Sequence, residues 1–357
     1  MLFVTDDDSR SFRGCERIVM VDAKNGRHVT EGEYRPSPGR LASTSDGRIV
    51  VSVNNNNAAF VTTLLGTSDF PTQWDSYIIP RPVLVGGPAS IAPNDSVLLL
   101  ARTTGVGRYF VRNIGRATIG QEDGRYEINS SVAAILFTSD SSIAILIRED
   151  GIVDFIDPIS LSTTRPSTTY SPIARPRESR IRKTFAAISP DDRYIVINTG
   201  TKHLSVLDLV TNTSSSIELD GLTATYGVGF NFRARTNTLA VNGQSVVAVY
   251  DFNPVAGVRQ LARAMIPPQV PDGGDPSEEY MHRPASLAWT GSGDGVVAAI
   301  GGKLEFRILD FEVAGETATL TKRFDFEGCE VPTGYYQSAI DVISLNDRYH
   351  PPTPTPT

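Results

Sequence analysis

Ala186-Ala187-Ile188-Ser189-Pro190-Asp191-Asp192-Arg193-Tyr194-Ile195-Val196-Ile197-Asn198 is followed closely by His203-Leu204-Ser205-Val206-Leu207-Asp208. A short apolar strand runs into a Ser-Pro-Asp-Asp turn. A second apolar strand, a polar loop and a third strand ending in Asp complete the unit. Asp and Asn bond their own backbone in such turns, and Gly accepts positive φ. The strand–turn–strand part recurs at 41–53 around Ser45-Asp46-Gly47, at 89–101 around Pro93-Asn94-Asp95 and at 134–147 around Thr138-Ser139-Asp140. It returns at 228–241 near Arg235-Thr236-Asn237 and at 285–300 around Gly293-Asp294-Gly295. The third strand recurs as well, with a terminal Asp at Asp22, Asp157, Asp208, Asp251 and Asp310. The units around Phe60 and Phe110 lack that Asp but keep a legible strand.

The turn residues Asp46, Asp95, Asp140, Asp192, Asn237, Asp294 and Asp347 stand about 50 residues apart, room for four short strands with their turns. That is the blade of a β-propeller. The two ends of the sequence complement each other. Residues 339–350 form a first strand and turn with no second strand after them, and residues 1–5 form a second strand with no first. Across the ends, Asn346-Asp347-Arg348-Tyr349 followed by Leu2-Phe3-Val4 repeats the pattern of Asp191-Asp192-Arg193-Tyr194 followed by Ile195-Val196-Ile197. The expectation is an all-β, seven-bladed β-propeller over 1–350. Its first blade takes three strands from the N-terminus and its inner strand from the C-terminus. Such closure removes the open edges of a linear array.

The unit at 186–208 resembles the YVTN-type β-propeller repeat of surface-layer and secreted bacterial proteins. That unit lacks the Gly-His and Trp-Asp marks of WD repeats. The resemblance is sharp there and looser in the second, third and sixth units. It implies a surface propeller and says little about activity, because this architecture carries enzymes, receptors and scaffolds alike.

Of 357 residues, 40% are hydrophobic, enough for a sizeable core, and the formal net charge is −7. A negative chain argues against nucleic acid as a main partner, which needs a concentrated basic face. No stretch approaches the ~18 apolar residues of a membrane span. Met1-Leu2-Phe3-Val4-Thr5-Asp6-Asp7-Asp8 lacks the basic start and long apolar core of a signal peptide. It reads as a strand, which fits a cytoplasmic protein, or numbering that begins after a leader or inside a longer chain.

Four histidines occur, none in HxxxH spacing, so neither a metal nor another cofactor is expected. Asp6-Asp7-Asp8 opens no DxDxDG loop and reads as a solvated segment. GxSxG, a phosphate-binding glycine loop and CxxC are all missing. In a propeller, loops between second and third strands share a face with the blade connections. Cys15 falls in such a loop and Cys329 in the connection entering the first blade. A disulfide between them would staple the closure and imply an oxidising compartment; the alternative is two separate thiols.

The same face gathers the binding candidates. Asn54 opens a polar loop, and Arg102 and Arg148 end second strands. Three long connections follow: a basic one with Arg177 and Arg180, an acidic one with Tyr280, and one with Tyr335 and Tyr336. They suit other surface proteins, a second copy paired through opposite charges, or glycans. Residues 351–357 are a Pro-Thr tract, extended and semi-rigid, with Thr353, Thr355 and Thr357 as O-glycosylation candidates. Asn94, Asn129 and Asn212 begin N-x-Ser/Thr sequons. The expected function is a non-catalytic extracellular or cell-surface module for binding or structure. The alternatives are a lactonase- or lyase-like propeller enzyme with a site at the central channel, and a cytoplasmic interaction scaffold.

Overall fold

The computed structural model describes residues 2–5, 17–21, 28–33, 40–53, 59–65, 73–79, 87–111, 122–170, 186–223, 225–232, 237–243, 246–254, 257–265, 287–300, 305–314, 317–327 and 342–344. They form an all-β, propeller-like structure of four-stranded antiparallel sheets. Sheet 1 holds β1 (Leu2–Thr5), β2 (Arg17–Val21) and β3 (His28–Glu33). Sheet 2 holds β4 (Arg40–Ser43), β5 (Ile49–Val53), β6 (Ala59–Leu65) and β7 (Gln73–Ile79). Sheet 3 holds β8 (Ala89–Ile91), β9 (Val97–Arg102), β10 (Gly105–Phe110) and β11 (Gly124–Tyr126). Sheet 4 holds β12 (Val132–Phe137), β13 (Ala144–Arg148), β14 (Ile152–Ile156) and β15 (Thr163–Thr169). Sheet 5 holds β16 (Ala186–Ile188), β17 (Tyr194–Asn198), β18 (His203–Asp208) and β19 (Thr213–Glu218). Sheet 6 holds β20 (Thr225–Phe230), β21 (Thr238–Gly243), β22 (Val246–Asn253) and β23 (Gly257–Met265). Sheet 7 holds β24 (Leu287–Trp289), β25 (Gly295–Ile300), β26 (Glu305–Ala314) and β27 (Thr317–Glu327). The last strand, β28 (Val342–Ser344), returns to sheet 1 and gives the order β28-β1-β2-β3.

The register of that return is Leu2 opposite Ser344, Phe3 opposite Ile343 and Val4 opposite Val342. The C-terminal segment expected beside residues 2–5 therefore pairs there. The first strands of successive sheets also lie side by side. β4 neighbours β8, β8 neighbours β12, and the succession runs on through β16, β20 and β24 to β28, which neighbours β4.

The core sits in the seams between sheets. Along β17, Ile195 and Ile197 pack into the seam with sheet 4, while Tyr194 and Val196 pack into the seam with sheet 6. Successive side chains of a strand point to opposite faces, so a strand covered on both sides reads as a continuous apolar run. The same logic makes every residue of β9 and of β21 buried. Outer strands differ: β15 and β19 are Thr- and Ser-rich and largely exposed.

The first hairpins of sheets 2, 3, 4, 5 and 7 share one repeated device. In sheet 5, Ser189 N donates to Tyr194 O and Asp192 N to Ser189 O. Ser189 Oγ donates to Asp191 and accepts from Tyr194 N. The same backbone pair closes the turns that begin at Thr44, Ala92, Thr138 and Thr290. Each of these turns puts its fourth residue at positive φ: Gly47, Asp95, Ser141, Asp192 and Gly293.

Three of those five residues are not glycine, and the reason lies in the neighbouring sheet. Asp95 accepts from Ser45 N at 2.9 Å and from Ser45 Oγ at 2.5 Å. Ser141 Oγ accepts from Asn94 N at 3.0 Å. Asp192 takes Ser139 N on both carboxylate oxygens, at 3.0 and 2.9 Å. Each left-handed residue thus carries a side chain back to the preceding turn and satisfies a backbone donor there. Between sheets 6 and 7 the bond runs forward, from Asn231 Nδ2 to Gly293 O at 2.9 Å.

A substitution series at residue 192 separates the two roles. Ala takes on a left-handed strain of about 1–2 kcal/mol that Asp largely escapes, and it loses the bond to Ser139, so Asp192→Ala should cost about 2–3 kcal/mol. Gly relieves the strain only, and Asn retains both the conformational tolerance and an acceptor. The expected order of stability in urea unfolding is wild type, Asn, Gly, Ala. Equal stability of the Ala variant and wild type would contradict the inter-sheet role.

Candidate functional site

Arg102 and Arg148 hold matching places. Leu100 pairs with Gly107 in sheet 3 as Leu146 pairs with Asp154 in sheet 4. Each arginine follows two residues later, at the end of its second strand. In sheet 4, Arg148 bonds Asp154 at 3.4 Å, and Ser167 Oγ donates to the other Asp154 oxygen at 2.5 Å. The Asp154 side chain is only 4% exposed. In sheet 3, the position of Asp154 is a glycine, and Arg102 instead pairs with Glu122, which precedes β11. A Cβ on Gly107 would lie 2.6 Å from Glu122 Oε2 and 3.4 Å from Arg102 Cδ. The Glu122 carboxylate therefore occupies the volume that an aspartate side chain fills one sheet further on. Both sheets bury an arginine–carboxylate pair at one location, with the acid supplied by different strands.

The pairs extend outward. Glu122 also binds Arg125 at 2.8 Å, Arg125 binds Glu127 at 3.1 Å, and Thr104 Oγ1 donates to Glu127 at 3.1 Å. Arg148 reaches Asp150 with its other terminal nitrogen. Bonding to Arg125 holds the Glu127 carboxyl below its ordinary value. Burial alone would raise the Asp150 carboxyl, but the bond and charge of Arg148 outweigh it and bring it below normal. Both acids are ionised at neutral pH and neutralised by arginine.

Between these clamps, an open groove of about 540 Å³ lies among the loops of sheets 3 and 4. Thr103 and Thr104 come from the β9–β10 loop, Asn129, Ser130 and Ser131 from the connection between the sheets, and Glu149 and Asp150 from the β13–β14 loop. Glu149 N donates to Ser131 O at 2.9 Å, tying the connection to the loop. The β9–β10 loop needs its glycine: Gly105 has φ 104°, and a Cβ there would fall 2.0 Å from Tyr126 O. Hydroxyls, one amide and two carboxylates face this groove, and among the described residues no aliphatic or aromatic side chain lines it. Among the described residues, no group of three His, Cys, Asp or Glu is placed to hold a metal ion.

Of the disulfide, O-glycosylation and binding-face candidates, Arg102 and Arg148 are the two within the described residues, and both are spent on ion pairs inside their own sheets. Cys15, Asn54, Arg177, Arg180, Tyr280, Cys329, Tyr335, Tyr336, Thr353, Thr355 and Thr357 lie outside the described residues. The sequence reading missed Glu122 and the groove, whose Asn129 it named only as the start of a sequon. Gly107 was the available signal: a glycine where a neighbouring unit has Asp154 marks space filled from elsewhere.

No family model matches the chain, so the YVTN-type resemblance finds no support there. No curated protein matches it either. Among solved structures, 1647 chains match, a breadth that identifies an architecture and selects no activity. One is Kuenenia stuttgartiensis hydrazine synthase, at 15% identity over 77% of each chain with a TM-score of 0.53. At that identity the likeness is one of fold.

Proposed function

We propose that this chain is a seven-bladed β-propeller, closed by its C-terminal strand, that serves as a non-catalytic binding or structural module outside the cell or at its surface. The blade count and closure draw support from the seven sheets, the β28–β1 pairing and the side-by-side succession of first strands. The observation that carries the functional half is the pairing of carboxylates with arginines in and beside the groove, Asp150 with Arg148 and Glu127 with Arg125. A general acid or base needs a pKa near the working pH. Here Asp150 and Glu127 are pushed the other way by arginines. Groups held so are suited to fixing a surface in place, not to moving protons.

The partners in this proposal are other surface proteins, further copies of the chain, or glycans. A Cys15–Cys329 bridge and sugars on Thr353, Thr355 and Thr357 belong to the same picture, as does kinship with YVTN-type surface propellers. Intact source cells treated with a membrane-impermeant amine reagent provide the test. Labelled peptides from this chain are expected before lysis. Labelling that appears only after lysis would leave the cytoplasmic scaffold as the better description.

A further inference from the structure

We infer that the groove between sheets 3 and 4 binds a neutral, polyhydroxylated ligand: a short carbohydrate chain. The inference rests on the binding-module proposal and gives it a ligand class. Its volume of about 540 Å³ falls within the roughly 300–1,000 Å³ of small-molecule sites. Most such sites are apolar. Among the described residues, every side chain lining this one ends in a hydroxyl, amide or carboxylate, so a hydrophobic ligand would cover polar groups without bonding them.

An anion is disfavoured by Glu149 and Asp150, which bring two carboxylates to the wall. Arg148 offsets one of them but is turned away, bonded to Asp150 and Asp154. A cation meets Asp150 already engaged by Arg148, which leaves Glu149 as a single carboxylate to hold it. What is left for a ligand is a set of neutral hydrogen-bonding groups. Thr103 Oγ1 comes from the β9–β10 loop, the Asn129 amide and Ser131 Oγ come from the connection between the sheets, and their side chains make no hydrogen bond within the described residues. Hydroxyls donate and accept, and an amide presents both functions side by side. That inventory matches vicinal sugar hydroxyls, which also do both.

The frame is fixed before any ligand arrives. Glu149 N holds Ser131 O, Thr104 holds Glu127, and Arg148 anchors the loop that carries Asp150. A preformed frame lowers the ordering cost of binding.

The test uses the full chain and a panel of neutral di- to tetrasaccharides, with sialylated and amine-bearing oligosaccharides as controls, read by saturation-transfer NMR and calorimetry. At least one neutral saccharide should bind. Asn129→Ala and Ser131→Ala should each weaken it about tenfold, the loss of one hydrogen bond at about 1.4 kcal/mol. Near-UV circular dichroism checks that both variants stay folded. If they do not, Thr103→Trp, an exposed substitution at the groove rim, takes their place and should block binding. Three results would each overturn the inference: no neutral saccharide bound at millimolar concentration, binding indifferent to the folded variants, or binding of charged controls alone. A bound saccharide released with a cleaved bond would keep the groove assignment and end the non-catalytic reading. A chain labelled on intact cells but bound by no sugar would do the reverse.

Discussion

Ending the chain at Asp341 should leave a protein that neither unfolds cooperatively nor stays soluble. The missing strand, β28, is short, but it is the inner partner of β1 and the neighbour of both β24 and β4. Without it, β1 presents a free edge, and the seams on either side lose a wall. Unpaired edges template aggregation. The lost pairing and packing are a large share of the about 5–15 kcal/mol that keeps a domain folded. Adding a synthetic peptide spanning 338–350 should restore a cooperative urea transition, because the gap is specific to that sequence. A truncated protein that melts like the full chain, with no response to the peptide, would sink the closure.

The second large effect concerns Glu122. Arg102 is buried, and its carboxylate comes from across the sheet over Gly107. Removing one partner of a buried pair strands the other charge, at a cost of about 3–5 kcal/mol for fully buried cases. The Glu122 side chain is 18% exposed, so about 3 kcal/mol is the expected loss for Glu122→Ala. Sheet 4 suggests the remedy, since Asp154 occupies the place of Gly107 there. Gly107→Asp in the Glu122→Ala background should recover at least half of the stability. In the wild-type background the same change crowds two acids together and should destabilise. Equilibrium denaturation of the four proteins decides it. Additive damage in the double variant would refute the matching of the two sheets.

Local features were legible, and so was the pairing of the two ends, because a split repeat leaves its halves in plain view; contacts between side chains of different strands and sheets were not. The turns around Asp46, Asp95, Asp140 and Asp192 announce themselves, because Asp, Asn and Gly answer a local backbone demand. Apolar runs such as Tyr194-Ile195-Val196-Ile197 reveal strands covered on both faces. The outer strands carry little signal: Thr163–Thr169 has solvent beside most of its side chains, so nothing enforces apolar spacing. Sequence patterns also cannot separate Asp192 as a turn former from Asp192 as a bond to Ser139, because the two residues meet only when sheets pack. Arg102 illustrates the limit at the site. Its position at a strand end can be read directly, but its partner lies across the sheet and is reached through a glycine. A lone arginine then looks like a binding residue when it is part of the frame.

The pairing of Leu2 with Ser344 also determines how the molecule would respond to force. The outward ends of β1 and β28 leave the sheet at the same corner, since the strands are antiparallel. Tension applied between the two ends of the chain therefore falls on one residue pair at a time, Leu2–Ser344 first and Val4–Val342 last. That is a peeling geometry, in which hydrogen bonds yield in sequence and not together. A chain held at both ends would open at its seal under small loads, whereas one held at a single end carries no load across the seal at all. Whatever tethers such a chain, a one-point attachment keeps its ring shut.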